Sequence, residues 1–120
     1  MTSQRSRILD ISDRIASGAL PFQDGVFEIV ALIPPGRVLG YGHVAALAGR
    51  PRHHRQVGFA LARLEPGDLT PWWRVLRSNG TIALQGSPSR GPLQRQHLLD
   101  EGLTVENYRV DMKRHRWWPT

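Results

Sequence analysis

The stretch between residues 41 and 64 constrains this chain most, because it reads as two short helices with almost no room between them. Residues 41–48 carry Val44, Ala45, Leu47 and Ala48 at helical spacing, and Gly49-Arg50-Pro51 closes that pattern. Residues 53–64 carry a second stripe, Val57, Leu61 and Leu64. Two helices joined by a short Gly/Pro turn make a helix-turn-helix unit. With the Val57 stripe turned inward at roughly 100° per residue, Arg52, Arg55, Phe59, Ala62 and Arg63 fall on the outer face, and Gly58 lies at its edge.

The flanking sequence is mostly helical as well. Within residues 1–20, Ile8, Ile11 and Ile15 make one stripe, ending at Gly18, which predicts a short, loosely docked helix. Residues 22–33 repeat Val26, Ile29, Val30 and Ile33 until Pro34-Pro35-Gly36 stops them. Ser78-Asn79-Gly80 signals a turn and residues 81–84 suit a strand, so a small hairpin or wing is expected there. Residues 94–101 read as a last helix, and 105–112 as a strand. The expected fold is mainly α with a small β-hairpin, of winged helix-turn-helix type, with residues 1–20 as an extension and 21–120 as one domain.

Composition narrows the function. The chain has 120 residues, 16 Lys+Arg against 10 Asp+Glu, and a net charge of +6. A small basic domain most often meets a polyanion, since each phosphate contact releases counterions. An outer helix face that mixes arginines with small residues suits such a partner, because backbone can approach a duplex while guanidiniums reach phosphates. The plainer alternative is a solvated charged face. There is no cysteine, which removes disulfides, thiolate metal sites and cysteine nucleophiles together. His43, His53, His54, His97 and His115 show no zinc-ligand spacing, and neither a phosphate-cradling glycine loop nor a hydrolase pattern is present. No metal or cofactor is expected. No apolar run could cross a bilayer and no secretory leader opens the chain, so a cytoplasmic location is expected, nucleoid-associated if the source is bacterial.

Three motifs make the reading specific: Ile33-Pro34-Pro35-Gly36-Arg37-Val38-Leu39-Gly40-Tyr41-Gly42, then Arg55-Gln56-Val57-Gly58, then Pro71-Trp72-Trp73-Arg74-Val75. Together they resemble the O6-alkylguanine-DNA alkyltransferases over about residues 22 to 103. In that family the last motif reads Pro-Cys-His-Arg-Val. Here Trp72 stands at the alkyl-accepting cysteine and Trp73 at the neighbouring histidine. That exchange marks the alkyltransferase-like proteins, which keep the DNA-binding half of the repair enzyme without its chemistry.

The resemblance assigns roles residue by residue. Arg55 is the finger that enters the base stack in place of a flipped nucleotide, on a helix lying in the minor groove with Arg52, Gly58, Phe59 and Arg63. A planar guanidinium restores some of the stacking lost on extrusion, which an ammonium would not. Tyr41 lies beside the flipped nucleotide, although a helix-start tyrosine with a bonded hydroxyl is the ordinary alternative. Trp72 lines the lesion pocket and offers a stacking surface but no nucleophile, although a Trp pair beside proline is ordinarily core. Backbone groups of Val75 and of the Ala83 to Gln85 loop would read the base edge. Gln85 stands where some relatives place an arginine. Many alkyltransferase-like proteins keep the histidine that Trp73 replaces; without it the histidine-water-glutamate relay cannot operate, so Glu101 is expected to be structural, near Arg74.

The resemblance therefore implies a non-enzymatic sensor, a monomer that binds duplex DNA containing O6-alkylguanine and flags it to a damage-recognition protein of nucleotide excision repair. Two alternatives stand beside it. One is an enzyme acting on alkylated bases without cysteine. The other is a helix-turn-helix regulator reading sequence in the major groove, a class that usually dimerises on paired half-sites.

Overall fold

The computed structural model describes residues 3–83 and 89–120. Its helices are α1 (Gln4–Ala16), α2 (Phe22–Leu32), α3 (Tyr41–Leu47), α4 (His54–Ala62), α5 (Arg90–Asp100) and α6 (Met112–His115). The strands are short: β1 (Leu39–Gly40), β2 (Val75–Leu76), β3 (Val105–Glu106) and β4 (Arg109–Val110). A 3-10 turn, Trp72–Arg74, leads into β2. Among the described residues no helix is long and apolar enough to cross a membrane.

The apolar stripes do what their spacing predicts. Val26, Ile29 and Val30 of α2 pack with Val44 and Ala45 of α3 and with Val57 and Leu61 of α4 in one core. The helix-turn-helix is α3 and α4, and Gly49 between them takes φ +81°, a left-handed conformation that glycine adopts without steric cost. A second cluster, Val38, Leu76, Ile82, Leu98, Leu103, Val105 and Val110, lies under α5 and the short strands.

Helix α1 is not loosely docked. The Ser3 hydroxyl accepts the Ser6 N–H at 3.0 Å and caps its start. Ile8, Ile11 and Ile15 are all buried, in the same core as Ile29 and Val44. The C-terminal tail reaches the same core through Trp117 and then clasps α1: Arg5 N–H donates to the Thr120 carbonyl and Thr120 N–H to Gln4 Oε1, both at 3.2 Å.

Three boundaries differ from the sequence reading, each for a local reason. Helix α5 begins at Arg90 and not at residue 94, because Pro92 falls in the first turn, where a missing N–H costs nothing. The turn at 78–80 forms, with Gly80 N–H donating to the Arg77 carbonyl at 2.8 Å and Arg77 N–H to the Thr81 carbonyl at 3.1 Å, but beyond that pair the chain joins residues 108–109, and residue 84 of the expected strand lies outside the described residues. Thr81 bridges antiparallel to Arg109, and Ile82 N–H donates to the Tyr108 carbonyl at 2.8 Å. The hairpin lies within 105–110, where a continuous strand was expected, and Asn107 and Tyr108 turn it with φ of 50° and 57°. Positive φ at both turn positions is the tight hairpin geometry, normally written Asn-Gly; a tyrosine there hides the signal. Asp111 then caps α6 by accepting the Lys113 N–H at 3.0 Å.

The docking of α1 carries a direct test. Ile11→Ala should lower stability by about 2–4 kcal/mol in urea unfolding, the range for truncating a well-packed isoleucine. A loss below about 0.5 kcal/mol, typical of surface positions, would mean that α1 contributes little to the core.

Candidate nucleic-acid interface

The site begins with a pair of two-residue strands. β1 and β2 pair in parallel, Leu39 with Val75 and Gly40 with Leu76. Tyr41 follows β1 directly and Trp72–Arg74 precedes β2 directly, so this pairing brings the two motifs together from more than 30 residues apart. Glycine is required at position 40: a Cβ there would lie 2.6 Å from Ser78 Cα. His43 Nδ1 accepts the Gly40 N–H at 2.9 Å and fixes the first turn of α3. Burial, aided by the charge of Arg116, holds that imidazole below its ordinary range, so it stays neutral and can accept.

Between α4 and the Trp72 segment lies an open cleft of about 1020 Å³. Arg55, Gly58, Phe59 and Ala62 of α4 line it, with Tyr41, Trp72 and Ala83. Phe59 is 61% exposed, a large apolar ring left to solvent on the outer face of the helix. Gly58 sits over Tyr41, where an added Cβ would make an ordinary 3.9 Å contact with Cε1 of the ring. The fold therefore does not need a glycine there. Burial raises the Tyr41 phenol above its ordinary value, and nearby Arg90 and Arg77 pull it part of the way back. The hydroxyl thus stays protonated and able to donate.

The other residues singled out from the sequence lie around the cleft or behind it. Arg52 and Arg63 are exposed but are not among the lining residues. Val75 is fully buried; its N–H donates to the Trp72 carbonyl and its own carbonyl accepts from Gln94 Nε2 at 2.8 Å. Its N–H and carbonyl are thus both bonded within the fold. Gln85 lies outside the described residues.

Behind the cleft, the Glu101 carboxylate gathers three segments. It accepts from Gly36 N–H at 3.1 Å, from Trp73 Nε1 at 2.9 Å, and from Arg74 through Nε at 3.0 Å and Nη2 at 2.6 Å. Arg74 Nη1 donates in turn to the Ile33 carbonyl at 2.8 Å. Glu101 is structural, as its sequence context implied. Burial alone would push its carboxyl up, but the hydrogen bonds from Arg74, Trp73 and Gly36 outweigh that and hold it below the usual range.

The sequence reading missed Arg90. This residue opens α5 and sits in a run with the composition of an ordinary loop, so no periodicity or motif marks it. Its guanidinium lies 4.2 Å from the Trp72 ring, and its Nη2 and Nη1 donate to the Leu61 and Ala62 carbonyls at 2.8 and 3.2 Å. It also lines the cleft, as do Arg77 and Gln94. Trp72 also meets Trp73 and His97 edge-on, and Trp73 stacks on His97 with centroids 4.1 Å apart.

Residues 21–103 match the family model for the 6-O-methylguanine DNA methyltransferase DNA-binding domain. The chain belongs to this family. It is 48% identical over 97 residues to the DNA base-flipping protein of Escherichia coli, covering 80% of this chain and 74% of that one. It is 33% identical over 103 residues to alkyltransferase-like protein 1 of Schizosaccharomyces pombe, covering 82% of this chain and 95% of that one. The crystal structure of that yeast protein in complex with damaged DNA containing O6-carboxymethylguanine superposes with a TM-score of 0.78, over 82% of this chain and 95% of the other, at 33% identity. In this member of the methyltransferase DNA-binding family, the absence of cysteine from the chain leaves no thiol to accept an alkyl group. Trp73, at the histidine position of the motif, gives its N–H to the glutamate, so no imidazole stands there to take a proton.

The Glu101 cluster predicts acid sensitivity. A carboxyl whose pKa is depressed on folding adds stability above its unfolded value, and that stability is lost as pH falls through the folded value. The loss should therefore begin below about pH 4.3, the ordinary glutamate value. Glu101→Gln should cost about 3 kcal/mol at neutral pH, because it leaves Arg74 buried without its counter-charge, and should flatten the acid limb. Urea unfolding of both proteins across pH 3–7 measures this; an unchanged acid limb would exclude Glu101 as its source.

Proposed function

We propose that this protein is a non-enzymatic sensor of alkylated DNA: it binds O6-alkylguanine in duplex DNA, extrudes the base into the cleft and leaves the adduct unchanged. One observation carries the reading. The exposed face of α4 opens directly into a cleft whose far wall is Trp72, at the motif position of the family's cysteine, in a chain without any cysteine. A helix face with Arg55, Gly58 and Phe59 suits a minor groove, where arginine reaches inward and an apolar ring wedges against the stack. Extrusion costs a few kcal/mol, and an arginine inserted in the gap offsets part of that cost by stacking. Trp72 then offers the flipped purine an aromatic surface of the kind that is worth about 1–3 kcal/mol per base. Tyr41 donates from beside it.

In this reading Arg55 is the intercalating finger. Arg52 and Arg63 flank it as phosphate contacts, which fix register without reporting on the base. The protein acts as a monomer in the cytoplasm on chromosomal DNA. A bound complex with bent DNA is then the signal, and a damage-recognition protein of nucleotide excision repair is the partner that receives it. The names of the relatives support base flipping and damaged-DNA binding; the repair partner rests on the family resemblance.

The central test is a competition between O6-methylguanine and guanine duplexes, followed by mass analysis of both protein and DNA. The lesion duplex should win, with both masses unchanged; restored guanine, base loss or a heavier protein would establish an enzyme instead. Arg55→Ala should weaken lesion binding more than Arg52→Ala or Arg63→Ala and should also suppress flipping, read by a fluorescent base at the lesion position. Equal losses with flipping intact would leave only a generic basic face.

Gly58→Ala separates folding from binding. Since a Cβ at position 58 meets only an ordinary contact, the variant should gain about 0.4–1 kcal/mol of stability, the usual helix-interior gain over glycine. It should nonetheless bind DNA more weakly, because the methyl holds the backbone of α4 away from the groove. A variant that is more stable and binds undiminished would show that α4 does not approach DNA at Gly58.

A further inference from the structure

The charge around the cleft is one-sided. Arg55, Arg77 and Arg90 line it, and no aspartate or glutamate does so among the described residues. Arg55 and Arg77 are exposed side chains with rotamers to lose on binding. Arg90 is different, because its guanidinium is already fixed: Nη1 and Nη2 each donate to a main-chain carbonyl at the end of α4 while the plane lies against Trp72. Among the described residues, those two bonds leave part of the five-donor fork uncommitted. A fixed cation with spare donors costs little further ordering when it meets an anion, and guanidinium with carboxylate is among the stronger pairings available to it.

From this we infer that Arg90 is a specificity-determining residue that favours O6-substituents bearing a carboxylate over neutral ones of the same size. The inference rests on the lesion-binding reading above and refines it by naming the class of alkyl group. Trp72 supplies a surface for the purine, whichever substituent it carries. Arg90 lies against that same ring and lines the same cleft, so a substituent on a purine held there comes within its field. Tyr41 lines the same cleft as Arg90 and Arg77, so these cations share it with the residue expected beside the flipped base. A neutral substituent gains nothing from this field, whereas an anionic one does.

The experiment compares duplexes carrying O6-carboxymethylguanine, O6-carbamoylmethylguanine and guanine, at low and moderate salt. The first two adducts match in shape and differ in charge. The wild-type protein should prefer the carboxylate by about fivefold or more at low salt, with the ratio shrinking as salt rises. Arg90→Gln should bring the ratio to near one while still binding the neutral adduct better than guanine. Arg90→Lys, which keeps the charge, should retain a preference. Equal binding of the two adducts by the wild-type protein would overturn the inference without touching the lesion-binding reading, and so would equal loss of the ratio in the Lys and Gln forms, which would make Arg90 a positioning residue for Trp72. If neither adduct outcompetes guanine, the lesion-binding reading itself fails. Should the Gln form not fold, the wild-type ratio and the Lys form still decide.

Discussion

A single, largely buried carboxylate holds the working part of this protein together. Glu101, at the end of α5, accepts hydrogen bonds from Gly36 after α2 and from Trp73 and Arg74 before β2, and Arg74 returns to the carbonyl of Ile33. Three segments distant in sequence therefore meet at one charge. Arg74 and Glu101 side chains are 12% and 13% exposed, so the pair is largely withdrawn from water. Breaking such a pair by removing one partner is costly, even where an apolar replacement of both would not be. The cluster fixes the Trp72–Arg74 turn, and with it the wall of the cleft.

The same group shows how a catalytic framework becomes a binding framework. A histidine at position 73 opposite Glu101 would be poised to pass a proton. An indole N–H at that place is a donor with no basic lone pair, so Trp73 keeps the hydrogen bond and gives up the proton transfer. Its ring then stacks on His97 and meets Trp72 edge-on, while Arg90 from the start of α5 lies against Trp72. Cysteine at position 72 would be small; tryptophan there fills space and presents a rigid aromatic plane. Chemistry has been exchanged for surface.

Much of this was legible in sequence, and the remainder was not for identifiable reasons. The stripes of α2, α3 and α4 reported their burial directly, since their periodicity is set by one continuous core. Tyr41, Arg55, Gly58 and Trp72 were legible because they lie in short motifs whose spacing survives the loss of the nucleophile. The hairpin at 105–110 was not, because its turn uses Asn107-Tyr108 at positive φ where glycine would have announced it. Arg90 was hidden for a different reason: its role depends on carbonyls of α4 nearly 30 residues earlier, and no local pattern encodes such a contact. Val75, expected at the pocket by analogy, is buried behind it because the parallel pairing with Leu39 and the bond from Gln94 use its backbone.

The most direct test of the account is a crystal structure of this protein on a duplex containing one O6-methylguanine. The account predicts α4 in the minor groove, the Arg55 guanidinium within the base stack, and the extruded purine against Trp72 with its methyl group intact. A lesion still stacked in the helix, or α4 seated in the major groove, would contradict it.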